Sequence, residues 1–293
     1  QDMRVRMEAQ FELVKRGAKQ ILLNAIQQKE HQLARLHGIW GIGQLARDDT
    51  QEAEPLVPYL QASDSEVRAQ TAKILGDVRY QPAADSLVPL LKDSSPRVQL
   101  LATQALGRIA YKPAVQPIID MLKANNDEDM YLRHGGAIAL ARIGNTQALA
   151  KLENHSSEAV RIAAVVALKR LKSPDVKRFL DDSSEFIVTN AARAINDDAF
   201  IKEALPDLAL LLDQKEFTTN TPLIRRAINA SLFHGAAEDA QRLASYANRE
   251  DGADSLRAEA LATLSVWPNP SPLDRVTGRY RGQVQNNKAD ASE

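Results

Sequence analysis

Asp64-Ser65-Glu66-Val67-Arg68-Ala69-Gln70-Thr71-Ala72-Lys73-Ile74-Leu75-Gly76 is the stretch whose reading decides the fold. A turn of Asp, Ser and Glu precedes an apolar-Arg pair, Val67-Arg68. A small residue, Thr71, follows four places after Val67, and an apolar one, Leu75, eight places after it. Offsets of four and eight keep to one face of a helix, so Val67 anchors a buried stripe. The side-chain oxygens of the turn are suited to cap the start of that helix.

The same arrangement recurs along the chain. Its anchors are Val5-Arg6, Ala34-Arg35, Val67-Arg68, Val98, Leu132-Arg133, Val160-Arg161, Ile187, Ile224-Arg225 and Leu256-Arg257. Successive anchors lie 29, 33, 31, 34, 28, 27, 37 and 32 residues apart, which is room for two short helices and two turns. Between them runs a second apolar stretch opened by Pro or acidic residues: 55–60, 117–122 and 206–212 are the clearest. These are expected as outer helices, with the anchored ones inside. Turns at Asp64-Ser65-Glu66, Asp93-Ser94-Ser95-Pro96, Asp127-Glu128-Asp129 and Asp181-Asp182-Ser183-Ser184 supply capping oxygens. The residue after the eighth place, Gly43, Gly76, Gly107 or Asn196, either ends the inner helix or lets neighbouring helices approach.

Composition agrees with thin helices packed through small side chains. Hydrophobic residues make up 44% of the 293 and aromatics only 5%. Lys and Arg number 37 against 38 Asp and Glu, so the net charge of -1 offers no general attraction to nucleic acid or an anionic membrane. The lack of cysteine excludes disulfides, thiolate metal sites, cysteine nucleophiles and covalent haem attachment. No apolar run approaches the roughly 18 residues of a membrane span.

Three repeat families have comparable periods. The tetratricopeptide signature is missing, and the ankyrin Thr-Pro-Leu-His occurs only as Thr221-Pro222-Leu223 followed by Ile224. The Asp…Val-Arg…Leu-Gly form, with a small residue between, resembles HEAT repeats of a short bacterial type. The expected fold is therefore all-α, an α-α superhelix of about nine repeats over residues 1–266. Val5 has four residues before it, so the first repeat is expected to be incomplete and an upstream part lost. Trp267-Pro268-Asn269-Pro270-Ser271-Pro272 stops the helical pattern, and 267–293 is expected as a Pro-rich segment and polar C-terminal linker.

A closer resemblance rests on Ala34-Arg35-Leu36-His37-Gly38-Ile39-Trp40-Gly41-Ile42-Gly43-Gln44-Leu45, Glu66-Val67-Arg68-Ala69-Gln70, Tyr131-Leu132-Arg133-His134, Ala191-Ala192-Arg193-Ala194-Ile195-Asn196-Asp197 and Asp274-Arg275-Val276-Thr277-Gly278. These segments are similar to the HEAT region of large bacterial membrane-bound dehydrogenase-like, or haem-binding CxxCH, proteins. The resemblance implies a sorbosone-dehydrogenase-like propeller upstream, a c-type cytochrome domain downstream and export to the periplasm. It carries no catalytic residue onto this chain.

The chemistry-bearing residues do not form a catalytic pattern. Deoxyhypusine hydroxylases of similar fold bind iron through His-Glu pairs, whereas here His31, His37, His134, His155 and His234 are followed by Gln32, Gly38, Gly135, Ser156 and Gly235. No nucleophile elbow, phosphate loop, HExxH or EF-hand pattern occurs, so no catalytic, cofactor or metal residue is assigned. The recurring anchor Arg, with acidic residues in the turns, reads as a structural ladder of ion pairs. The most polar face of the inner helices lies at offsets three, six and ten from the anchor, and it collects His37, Trp40, Gln44, Gln70, Lys73, Asp77, Arg108, Arg142, Arg170 and Arg193 among others. Arg108, Arg142 and Arg170 share offset ten in consecutive repeats. They read either as an anion-reading track or as solvated helix ends, where Arg is also favoured. Trp40 reads either as an aromatic anchor on that face or as packing under the first repeats.

The function expected from these features is a non-catalytic scaffold, a spacer and docking arm that meets a protein partner or flanking domains through Trp40, Arg108, Arg142, Arg170 and Arg193. The alternative is a HEAT-like bilin lyase or related accessory enzyme acting with a partner subunit.

Overall fold

All nine anchors lie in α-helices, as an apolar stripe at offsets four and eight requires. The computed structural model describes residues 2–291, and the chain divides into two units, Gln1–Asn145 and Thr146–Glu293. Residue 1 of the expected solenoid and residues 292–293 of the expected linker lie outside the described residues. Among the described residues there is no strand, only an isolated antiparallel bridge between Leu273 and Tyr280.

The first unit runs α1 (Met3–Lys15), α2 (Lys19–Ile26), α3 (Gln32–Leu45), a 3-10 segment Thr50–Gln61, α4 (Ser65–Asp77), α5 (Ala84–Leu87) flanked by 3-10 turns, α6 (Pro96–Ile109), α7 (Val115–Asn125) and α8 (Met130–Ile143). Its anchor helices α1, α3, α4, α6 and α8 stack in chain order, each on the next. The element before each of the last four covers that helix from outside. The second unit repeats the scheme with α9 (Thr146–Ala150), α10 (Glu158–Leu171), a 3-10 segment Pro174–Asp181, α11 (Glu185–Asn196), α12 (Leu205–Ala209), α13 (Thr221–His234), α14 (Ala237–Ala247) and α15 (Asp254–Ser265). Here α10, α11, α13 and α15 are the stacked anchor helices. Each unit is thus an all-α solenoid.

Burial follows the register. Val67, Val98, Val160 and Ile187 are fully buried, and so are Thr71, Ala102, Ala164 and Ala191 at offset four and Leu75, Leu106, Leu168 and Ile195 at offset eight. Val5, in contrast, is 60% exposed, because no outer element precedes α1 among the described residues.

The outer elements depart from the expectation of regular helices. Residues 117–122 do lie in α7, but the stretch from Pro55 is part of a 3-10 segment that contains both Pro55 and Pro58. Proline lacks the N–H for the bond four residues back, and its ring crowds that carbonyl, so the chain tightens. Pro174 likewise opens a 3-10 segment whose first turn is capped by Ser173.

Of the two roles open to the residue after the eighth place, close approach is the one realised in the first unit. Gly76 lies inside α4, and a Cβ there would stand 2.5 Å from Ala105 Cα; at Gly107, inside α6, it would stand 2.7 Å from Ala139 Cα. Left-handed caps end several helices instead, at Ala110, Gly144, Lys172 and Gly235.

The capping turns divide into two kinds. Asp64 accepts from Glu66 and Val67 N–H, and Asp129 from Tyr131 and Leu132 N–H, as ordinary N-caps. Asp93 and Asp182 sit two residues before an N-cap Ser, accept its N–H, and bind the anchor Arg of the preceding repeat. His155 takes the same place before Ser157 and accepts its N–H through Nδ1 at 3.1 Å. The anchor Arg of that preceding repeat, Arg133, turns instead to Asp127 at 3.7 Å.

The segment expected as a linker is held against the second unit, and its last described turn, Lys288–Ala291, lies on α14. Asp274, 2% exposed, accepts from Val276 and Thr277 N–H at 2.7 Å, from the Asn196 side chain at 3.2 Å and from Arg281 Nε at 3.0 Å. Arg281 also donates to Asn196 C=O at 2.7 Å and stacks on Phe200, while Asn286 donates to Leu232 C=O at 3.0 Å. Fully buried Asn229 donates to Asn196 and accepts from Arg275 N–H, which completes a chain of buried polar groups. The polar character of 274–286 is therefore partly that of a strap satisfying the ends of α11 and α13, where bare amides would be costly.

Candidate partner-binding face

Helical spacing brings offset six of one anchor helix beside offset three of the next, and Trp40 meets Gln70 in this way. The Trp40 indole N–H donates to Gln70 Oε1 at 2.9 Å, Gln70 donates to Glu66 at 2.8 Å, and Arg97 donates to Glu66 at 2.8 Å. Burial alone would raise the Glu66 carboxyl, but the bonds from Arg97 and Gln70 outweigh it and hold it below the usual carboxylate value. On the other side of Trp40, the His37 ring stands edge-on with centroids 5.0 Å apart. Burial, helped by the charge of Arg6, pushes His37 below its ordinary value. It is therefore neutral near pH 7 and donates from Nδ1 to Gln10 Oε1 at 2.8 Å, and Gln10 donates in turn to Gln44 at 3.0 Å. The Trp40 indole is half-buried and tied to its neighbours, and it lines an open groove.

That groove, of about 640 Å³, lies between α1, α3 and α4. Met7 and Phe11 supply apolar surface, and Arg47, Lys73, Asp77 and Arg79 supply charge. Asp77 binds Lys73 Nζ at 2.5 Å and Arg108 Nη1 at 3.1 Å, so Arg108 is joined to the groove through this carboxylate. Arg142, at the same offset on α8, has an exposed side chain and does not line the groove. In the second unit, Arg170 on α10 and Arg193 on α11 are exposed, each near the end of its helix. The structure therefore brings Trp40 and Arg108 into one neighbourhood.

Sequence reasoning missed Met7, Gln10, Phe11, Arg47 and Arg79. One signal was available, since Phe11 stands at offset six from Val5, the register of Trp40. Arg47 and Arg79 follow the helices they flank, where the repeat pattern sets no register. Among the described residues no three His, Asp or Glu side chains gather as a metal site, and no helix is long and apolar enough to cross a membrane.

The chain matches HEAT repeats over residues 19–93, 84–155 and 124–196. No curated protein matches it. Among solved structures, an archaeal HEAT-like repeats protein from Thermococcus onnurineus NA1 is similar at 14% identity and a TM-score of 0.44, over 84% of this chain and 95% of that one. The complex of CpcE and CpcF of phycocyanin lyase from Nostoc sp. PCC7120 is similar at 23% identity and 0.37, over 72% and 86%. Human deoxyhypusine hydroxylase in complex with glycerol is similar at 14% identity and 0.36, over 87% and 98%. Likenesses of this size carry no argument about activity.

Proposed function

The chain belongs to the HEAT-repeat family, and from that premise we propose that it is a non-catalytic scaffold, a protein-interaction module acting as spacer and docking arm within a larger exported, dehydrogenase-like protein. In that setting it works in the periplasm, meeting flanking domains or a protein partner through Trp40, Arg108, Arg142, Arg170 and Arg193. The observation that carries the reading is the organisation of the inner-helix face. Side-chain hydrogen bonds hold Trp40 at the wall of an open groove, and exposed Arg170 and Arg193 repeat cationic positions in the second unit. Arginine forks bind carboxylates in two-point contacts, and an aromatic supplies the apolar anchor common at interfaces.

The test has two parts. The genomic reading frame around this segment should encode propeller-like and CxxCH domains; their absence would remove the spacer role. Association of those domains with the chain should fall about a hundredfold when Arg108, Arg142 and Arg170 are all changed to Glu. Unaltered association by a folded triple variant would overturn the assignment of this face. The alternative is a HEAT-like bilin lyase or related accessory enzyme acting with a partner subunit, and stoichiometric bilin binding by the chain would be the result that favours it.

A further inference from the structure

The groove of the first unit is two-sided in chemistry, apolar in part and cationic in part. Met7 and Phe11 are 37% and 45% exposed, and with Trp40 they leave apolar surface open to solvent. Asp77 is the acid among the charged lining groups, and Lys73 and Arg108 already occupy it. Arg47 and Arg79 are exposed, and their side chains engage no carboxylate or carbonyl among the described residues. The amides of Gln10, Gln44 and Gln70 are spent on each other, His37, Trp40 and Glu66, so they set the shape of the wall. What remains unsatisfied is an apolar surface beside two guanidinium groups.

We propose that this groove docks an acidic segment of a partner protein, with one aromatic or large aliphatic side chain set against Met7, Phe11 and Trp40 and its carboxylates on Arg47 and Arg79. The proposal deepens the scaffold reading and rests on it. Charge complementarity selects the occupant: two free guanidinium groups beside a neutralised Asp77 favour carboxylates and oppose a basic segment. The volume of about 640 Å³ suits a few side chains. Nucleic acid is disfavoured because tight binding to it needs many more phosphate contacts than two arginines provide.

The experiment is selection of random dodecapeptides, displayed on phage, on the intact chain with the R47E/R79E variant as counter-target. Arg47 and Arg79 are exposed, so the variant should keep its far-ultraviolet circular dichroism and denaturation midpoint. Selected peptides should carry Asp or Glu next to an aromatic or large aliphatic residue. Synthesised, they should lose at least about tenfold in affinity against R47E/R79E. Because Trp267 is fully buried, a change of indole emission on binding would report Trp40, and W40F should abolish most of it. Four outcomes overturn the proposal: no enrichment, enrichment of basic or uncharged peptides, binding indifferent to R47E/R79E, or oligothymidylate bound as tightly as the peptides. Peptides that bind on the second unit would overturn the groove and leave the scaffold reading intact. That reading fails separately, if the genomic reading frame around this segment encodes no propeller-like or CxxCH domain.

Discussion

Arg68 grips Asp93 with a fork, Nε to Oδ2 at 2.8 Å and Nη2 to Oδ1 at 2.9 Å, while its Nη1 donates to Ala62 C=O at 2.7 Å. Arg161 repeats the arrangement with Asp182 at 2.6 Å and 3.2 Å, and with His155 C=O at 2.7 Å. The anchor Arg thus joins its own helix, the turn before it and the turn that opens the next repeat. Both pairs are largely buried, at 16% and 10% exposure for Arg68 and Asp93 and 13% and 3% for Arg161 and Asp182. Asp93→Ala would strand a guanidinium and remove the acceptor of Ser95 N–H. A loss of about 3 kcal/mol is expected. Urea denaturation checks it, and a loss below about 0.5 kcal/mol would class the pair with ordinary surface ion pairs.

The same pair predicts an acid limb of stability. The Arg68 guanidinium, with a smaller contribution from Ser95 N–H, holds the Asp93 carboxyl below its ordinary 3.8 against the opposing effect of burial. A folded value below the unfolded one means the stabilisation is present above the unfolded value and is lost as pH falls through the folded one. Denaturant midpoints should therefore drop below about pH 4. Asp93→Asn should flatten part of that drop, and identical slopes for both proteins would show that Asp93 titrates normally.

Gly76 and Ala102 predict the cost of thickening the helix layer. A Cβ at Gly76 would meet the Ala105 backbone at 2.5 Å, where no side-chain rotation relieves it. Gly76→Ala should destabilise by about 1–3 kcal/mol despite a gain near 1 kcal/mol in helix propensity. Fully buried Ala102 and Ala164 changed to Leu should cost a similar amount, about 1–3 kcal/mol. Thermal or urea midpoints equal to the parent's would mean these contacts relax.

Asp274 and Arg281 predict that the C-terminal strap stabilises the second unit. Asp274→Ala removes the acceptor for Asn196, Arg281 and two backbone N–H groups and leaves a nearly buried guanidinium. A loss of about 3 kcal/mol is expected. Amide hydrogen exchange should quicken at the C-terminal ends of α11 and α13 while α3 and α4 keep their protection. Exchange unchanged at α11 would show that the strap contributes nothing to the unit beneath it.

The repeat was legible because its information is local. A small residue at offset four and an apolar one at offset eight define a buried face whatever the neighbours are, so Val67, Thr71 and Leu75 could be placed from their spacing. The Asp-to-Arg ladder was legible only in part: Arg68 and Arg161 pair with the Asp that opens the next repeat, whereas Arg133 turns to Asp127 and Arg35 donates to Ile26 C=O. The course of the outer elements was less so. Apolar stretches announced them, but whether a proline-bearing stretch is α-helical or 3-10 depends on how it lies over the anchor helix.

The polar contacts that shape the candidate face needed the tertiary structure. Trp40 finds Gln70 across 30 residues, His37 finds Gln10 across 27, and Asp274 finds Asn196 across 78. A hydrogen bond requires atoms within a few tenths of an ångström of one position, and periodicity places helices only to within a side chain. Arg108 could be assigned to offset ten from its number alone, but its bond to Asp77 depends on where α4 and α6 come to rest. Sequence alone therefore determined the repeat, the faces and the chemistry that each face carries. Which side chains on those faces pair, and which of them stay open to a partner, was decided only by the distance of approach of one helix to the next, which Gly76 sets for α4 and α6.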